Sequence, residues 1–207
     1  MKCYIFCSAP IADYEYLKKL DYNQGYVICA DGGYVHAQRL GIMPDLWLGD
    51  GDSLMLKTVQ AKECKTFPVK KDNTDTDLAV MEALRRGYKD ITILGSLGGR
   101  LDHEFSHFCL LKKIIEEGGR GTLLNEKNEI TMENKPFTVY PDDKKYISFF
   151  SFGGDVTDFS VKGLLYETEG MCLSANQVQA SSNCFRGDTP GEISFSSGCV
   201  LVIRAND

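Results

Sequence analysis

The chain lacks any apolar run near the roughly 20 residues that span a bilayer. It also lacks a G-x-x-x-x-G-K-[ST] loop, and it has no excess of basic residues. The first absence gives no expectation of a membrane-spanning helix, and the second excludes a nucleotide held by a Walker-type loop. The third, a formal net charge of -6, removes the basic footprint needed for broad contact with nucleic acid or an anionic membrane. Neither is therefore expected as a partner, whereas a phosphate ligand accompanied by a metal ion remains compatible. The opening residues carry one Lys and a short apolar run that contains Tyr4 and stops at Ser8-Ala9-Pro10, too little for a signal peptide. There is no internal repeat and no low-complexity segment. The eight cysteines have no repeated spacing, and Cys3, Cys7, Cys29, Cys109, Cys172 and Cys199 lie in or beside apolar runs. That pattern predicts mostly reduced core thiols in a cytoplasmic protein.

What is present is enough apolar residue, 43 % of 207, to bury a substantial core. Short apolar runs at Cys3 to Cys7, Tyr26 to Ala30, Leu46 to Gly49 and Asp90 to Leu94 read as buried strands, with a short extended piece ending at Phe67-Pro68. Helical patterns are predicted near Tyr14 to Leu20, through Val35 and Leu40, and through Leu56 and Val59. Two more are predicted along a Leu78, Met81 and Leu84 face and along Phe105, Phe108, Leu111 and Ile115. Gly121 to Leu124 and Ile130 to Met132 add short strands. This alternation implies an α/β N-terminal domain with a parallel doubly wound sheet over residues 1–134, whose ligands belong beyond the carboxyl ends of the strands. From about Pro136 the pattern changes to alternating stretches at Tyr146 to Phe152, Glu192 to Phe195 and Val200 to Ile203, without helices. Residues 135–207 are read as an all-β sandwich-like domain, small enough to call for packing against another surface or subunit.

Four strand ends lead into acid-rich or glycine-rich segments. Gly49-Asp50-Gly51-Asp52-Ser53 places two carboxylates one residue apart, an arrangement that repels itself unless a cation or proton intervenes. The alternative is a turn in which Asp52 or Ser53 caps a helix. Asp31-Gly32-Gly33 offers backbone N–H groups to a phosphate or sugar, or forms only a tight turn. In Lys70 to Asp77, Thr74 and Asp77 have capping-box spacing, and Asp75 gains from the helix dipole, while Asp72 has no such explanation. In Gly98-Gly99-Arg100-Leu101-Asp102, Arg100 is either a bidentate phosphate fork or an ion-pair partner of Asp102. His103-Glu104-Phe105-Ser106-His107 matches the zinc-hydrolase pattern H-E-x-x-H, but only His36 remains as a third imidazole.

Taken in order, Ala30-Asp31-Gly32-Gly33, Pro44-Asp45 with Gly49 to Ser53, Lys71-Asp72-Asn73-Thr74-Asp75 and Gly95 to His103 resemble the thiamine pyrophosphokinase family. The later half resembles its thiamine-binding domain more loosely, through Gly163 to Tyr166 and Ser182-Asn183. The resemblance implies transfer of pyrophosphate from ATP to thiamine by a homodimer with sites at the subunit interface. It assigns Mg²⁺ to Asp50, Asp52 and Asp75, and catalytic roles to these three with Asp72, Arg100 and Asp102. Nucleotide contacts fall to Asp31, Gly32, Gly33, Ser53, Lys71, Thr74, Gly98 and Gly99, and thiamine contacts to Ser182 and Asn183. Gly51, His107 and Cys184 stand where the family commonly has a bulky residue, Asn and Glu. Three alternatives stand beside it: a pyrophosphokinase of the same fold acting on another hydroxymethyl heterocycle such as a pterin, a non-catalytic Mg-nucleotide sensor, and a zinc hydrolase using His103, Glu104 and His107.

Overall fold

Six strands pair parallel, so their carboxyl ends all emerge on one edge. The structure is a computed structural model that describes residues 1–50, 58–68 and 72–207. It divides into two units, residues 1–126 and 127–207. In the first, β1 (Lys2–Phe6), β2 (Gly25–Ala30), β3 (Leu46–Asp50), β4 (Glu63–Phe67), β5 (Asp90–Leu94) and β6 (Arg120–Leu124) are ordered β4-β3-β2-β1-β5-β6. Phe6 pairs with Cys29 on one side and Leu94 on the other, which sets the register at the centre. The central strands are nearly continuous apolar runs because both of their faces are covered. Trp47 is completely buried among Phe6, Cys29 and Tyr34, and its indole N–H donates to the Asp31 carbonyl at 3.1 Å.

The helices are α1 (Tyr34–Arg39), α2 (Asp75–Arg85) and α3 (Leu101–Glu116). The expected inner face of α2 is corrected: Thr76, Ala79, Val80 and Ala83 are buried, whereas Met81 is 44 % exposed. Small side chains let this helix approach β1, β2 and β3 closely. The face of α3 is also shifted, burying His107, Leu110, Leu111 and Ile114 and leaving Phe105 at 60 % exposure. An imidazole can take an inner position because His107 Nδ1 donates to the Ser96 carbonyl at 2.8 Å. Between Tyr14 and Leu20 only a short 3₁₀ turn forms, at Leu17–Lys19, with no side-chain cap. The helix expected through Leu56 and Val59 lies mostly outside the described residues, as do Gly51, Asp52, Ser53 and Lys71.

In the second unit, β7 (Asn128–Glu133), β8 (Phe137–Val139) and β9 (Tyr146–Ser151) are followed by β10 (Val156–Lys162), β11 (Thr168–Leu173), β12 (Gly191–Ser194) and β13 (Val200–Ala205). β13 lies antiparallel between β7 and β9, and the remaining four run β11-β10-β12-β8. Phe149, Val200 and Val202 from the first group meet Phe159, Val161, Leu173 and Ile193 from the second in one core. All eight cysteines are free thiols. Cys3, Cys7, Cys29 and Cys199 are buried as expected, but Cys109 and Cys172 are exposed, because their apolar neighbours turn inward while they face out.

Candidate active site

The parallel edge gathers four loops. The chain leaves β1 through Cys7 to Pro10, leaves β2 through Asp31–Gly33, ends β3 at Asp50, and leaves β5 through Gly95 to Arg100. Two glycines are required by close approach. A Cβ on Gly33 would sit 2.0 Å from the Phe6 carbonyl oxygen, and one on Gly95, whose φ is +62°, would sit 2.5 Å from that of Cys7. Between the loops that leave β1 and β5 lies a cleft of about 330 Å³. Ser8, Ala9 and Pro10 line one side, Gly99, Arg100, His103, Glu104 and His107 another, and Cys7, Thr76, Gly95 and Ser96 also contribute. Open α/β sheets bind ligands at this edge.

Asp31 adopts a left-handed backbone, φ 45°, at the end of β2. Its Oδ1 lies 3.3 Å from where a Cβ on Gly49 would be, so Asp31 and the end of β3 that carries Asp50 are neighbours. Carboxylate oxygens on adjacent strand ends suit a hard divalent cation. Among the described residues no three His, Cys, Asp or Glu side chains converge as a metal-binding group, and Asp52 lies outside them. Asp72 is exposed before α2, Thr74 caps that helix by accepting from Asp77 N–H at 3.2 Å, and Asp75 opens it. Arg100 pairs with Asp102 at 2.6 Å in full solvent exposure, which lowers the Asp102 carboxyl and raises the Arg100 guanidinium. Gly98 and Gly99 both donate their backbone N–H to Glu104, at 2.9 and 2.8 Å.

Burial lowers the pKa of His107 and of His36. His36 Nε2 donates to the Ala9 carbonyl at 3.0 Å, leaving Nδ1 to accept from the Tyr14 hydroxyl. His36 thus holds the β1 loop from behind. Cys7 is pushed up to about 12 by burial and lies 3.3 Å from the Thr76 hydroxyl, so it is a wall of the cleft and not a nucleophile.

In the second unit Ser182 is exposed, with φ 55°. Asn183 is buried at 4 % exposure, its Oδ1 accepting from Tyr166 N–H and Cys184 N–H and its Nδ2 donating to the Tyr166 carbonyl. The sequence reading passed over Ser8 to Pro10, Thr76 and Ser96 as site residues. Their available signal was position alone: Ser8 to Pro10 and Ser96 are small residues just after parallel strands, and Thr76 lies in the first turn of α2, at the edge where ligands bind.

Two family models match the chain: "Thiamin pyrophosphokinase, catalytic domain" over residues 17–120 and "Thiamin pyrophosphokinase, vitamin B1 binding domain" over residues 128–200. The thiamine pyrophosphokinase of Bacillus subtilis (strain 168) is 29 % identical over 187 residues, 87 % of each chain. The crystal structure of thiamine pyrophosphokinase from Bacillus subtilis matches over all of both chains with a TM-score of 0.87 and 26 % identity. A thiamin pyrophosphokinase family protein from Enterococcus faecalis also matches in full, with a TM-score of 0.86, and at 24 % identity it speaks to the fold. With both domains matched in order along one chain, and with its strand-end loops gathered on a single edge, the chain belongs to the thiamin pyrophosphokinase family.

Proposed function

We propose that this protein is an enzyme that transfers the pyrophosphoryl group of ATP to the hydroxyl of thiamine, giving thiamine diphosphate and AMP. The observation that carries the reading is the convergence of the glycine-bearing and carboxylate-bearing loops on one sheet edge of a chain that matches both family domains. In the reaction the thiamine hydroxyl oxygen bonds to the β-phosphorus, and the bond from that phosphorus to the oxygen bridging the α-phosphate breaks. AMP leaves with the bond's electrons, and the hydroxyl proton passes to Asp72, Asp75 or solvent. Arg100, exposed at the mouth of the cleft, exchanges Asp102 for phosphate oxygens. Asp31, Gly32, Gly33, Ser53, Lys71 and Thr74 border the nucleotide. Asp50, Asp52 and Asp75 hold Mg²⁺, which neutralises phosphate charge when bound. Ser182 contacts thiamine, with Asn183 shaping its loop.

The same reading makes the first unit a doubly wound domain and the second a sandwich, and makes the working form a homodimer. A cytoplasmic location fits the eight free thiols. No described helix is long and apolar enough to cross a membrane. AMP formation from ATP and Mg²⁺, measured with thiamine, with a hydroxymethylpterin and with neither, tests the proposal. Thiamine-dependent AMP that falls at least about 100-fold in Asp52→Asn is expected. AMP formed only with the pterin would move the substrate, and ATP binding without AMP release would make the protein a sensor.

A further inference from the structure

We infer that Glu104 is a positioning residue, which holds the Gly98–Gly99 turn so that Arg100 is presented to the cleft; the inference rests on the function proposed above. One carboxylate oxygen, Oε1, accepts both backbone N–H groups, from Gly98 at 2.9 Å and from Gly99 at 2.8 Å. Gly98 has φ +86°, a conformation that turns successive amides toward one anion. Arg100 follows as the N-cap of α3 and makes no capping bond with its own side chain. The turn therefore relies on a carboxylate reaching back from the helix itself.

That helix is fixed to the core by the buried Leu110, Leu111 and Ile114 and by the bond from His107 to the Ser96 carbonyl. Glu104 transmits this rigidity to Arg100, whose guanidinium is paired, among the described residues, with the exposed Asp102. The two amides, occupied by Glu104, do not face a phosphate directly, so phosphate contact at this turn falls on the Arg100 side chain. The match to H-E-x-x-H has the same resolution: a carboxylate committed to two amides is not a free general base.

Removing the carboxylate should loosen the turn and weaken ATP binding, while an amide oxygen should serve as acceptor almost as well. Calorimetric titration of ATP with Mg²⁺ into wild type, Glu104→Ala and Glu104→Gln tests this, with deuterium exchange over residues 96–104 and steady-state AMP formation alongside. In Glu104→Ala the ATP dissociation constant and KM should rise about tenfold with kcat changed less, and exchange at Gly98 and Gly99 should accelerate. Glu104→Gln should stay within about twofold of wild type.

Unchanged or tighter ATP binding in Glu104→Ala would overturn the inference, the tighter case showing that Glu104 occupies a phosphate seat. A Gln variant as damaged as the Ala variant would overturn it too. Wild type that binds ATP but makes no thiamine-dependent AMP would reject the proposed function alone, leaving the binding and exchange measurements to decide this point. Wild type that binds no ATP would overturn both.

Discussion

Asn183 spends its whole side chain on the protein's own backbone. Its three side-chain bonds, to Tyr166 N–H, the Tyr166 carbonyl and Cys184 N–H, tie the loop around Ser182 to the Leu165–Tyr166 segment. Its backbone adds a reciprocal pair with Ile147 of β9, N–H to carbonyl in both directions at 2.9 Å. Asn183→Ala leaves two part-buried donors and one acceptor without their side-chain partner, so it should lower unfolding stability by about 1–3 kcal/mol. Urea denaturation beside thiamine kinetics separates the roles. A shifted midpoint with nearly unchanged KM for thiamine supports the anchoring role, whereas unchanged stability with a raised KM would make Asn183 a direct ligand. Gly33 is constrained by a different force, since a methyl group there meets the Phe6 carbonyl. Gly33→Ala should cost about 1–3 kcal/mol by overpacking, read from the same denaturation curves, and wild-type stability would refute the close approach.

At the scale of elements, two buried histidines make packing sensitive to pH. His36 on α1 faces Tyr14 and Arg39, and His107 on α3 faces Ser96 with His103 and Glu104 nearby. Both have folded-state pKa values below the ordinary 6.5, with burial as the largest cause. Below that value the unfolded chain binds protons that the folded chain refuses, so their contribution is complete above pH 6.5 and is lost as pH falls toward the folded-state values. Stability measured between about pH 7 and pH 5 should decline, by up to about 1.4 kcal/mol per pH unit for each histidine. His107→Gln should flatten part of that slope, and an unchanged slope would remove His107 from the explanation. The strand ends were legible because an apolar run stopping at Gly or Asp has few structural meanings. The inner face of α2 was not legible, because Thr76, Ala79 and Ala83 carry little hydrophobic signal and are buried for their size. β10 and β11 went unread for a local reason: Asp158 and Gly170 take positive φ within them, and the register of the pair shifts twice, which breaks the alternation. The acidic side of the candidate site was readable from charge, while Ser8 to Pro10 carries none and became visible only once β1 lay beside β5.

For the whole molecule, the proposal divides the substrates between units that each have their own core. Under it, nucleotide and metal would bind at the parallel edge of the first, and Ser182 of the second would contact thiamine. A ligand that binds only the folded chain stabilises it by mass action, about 2.7 kcal/mol at a hundred times its dissociation constant. ATP with Mg²⁺ at that excess should therefore raise the thermal midpoint of wild type by about 5–10 °C. Asp50→Asn removes one carboxylate at the end of β3, a partly buried position beyond the fully buried Leu46 to Leu48, so its ligand-free midpoint should stay near that of wild type. The shift with ATP and Mg²⁺ should largely disappear in this variant, and chelation of Mg²⁺ should have the same effect on wild type. Thiamine added after ATP should produce a further, smaller rise that Ser182→Ala reduces without altering the response to ATP. An Asp50→Asn chain that keeps the full ATP shift would separate this carboxylate from the metal. The acidic edge would then have to be rebuilt around Asp31 and Asp75, with Asp52 as the carboxylate of the β3 loop.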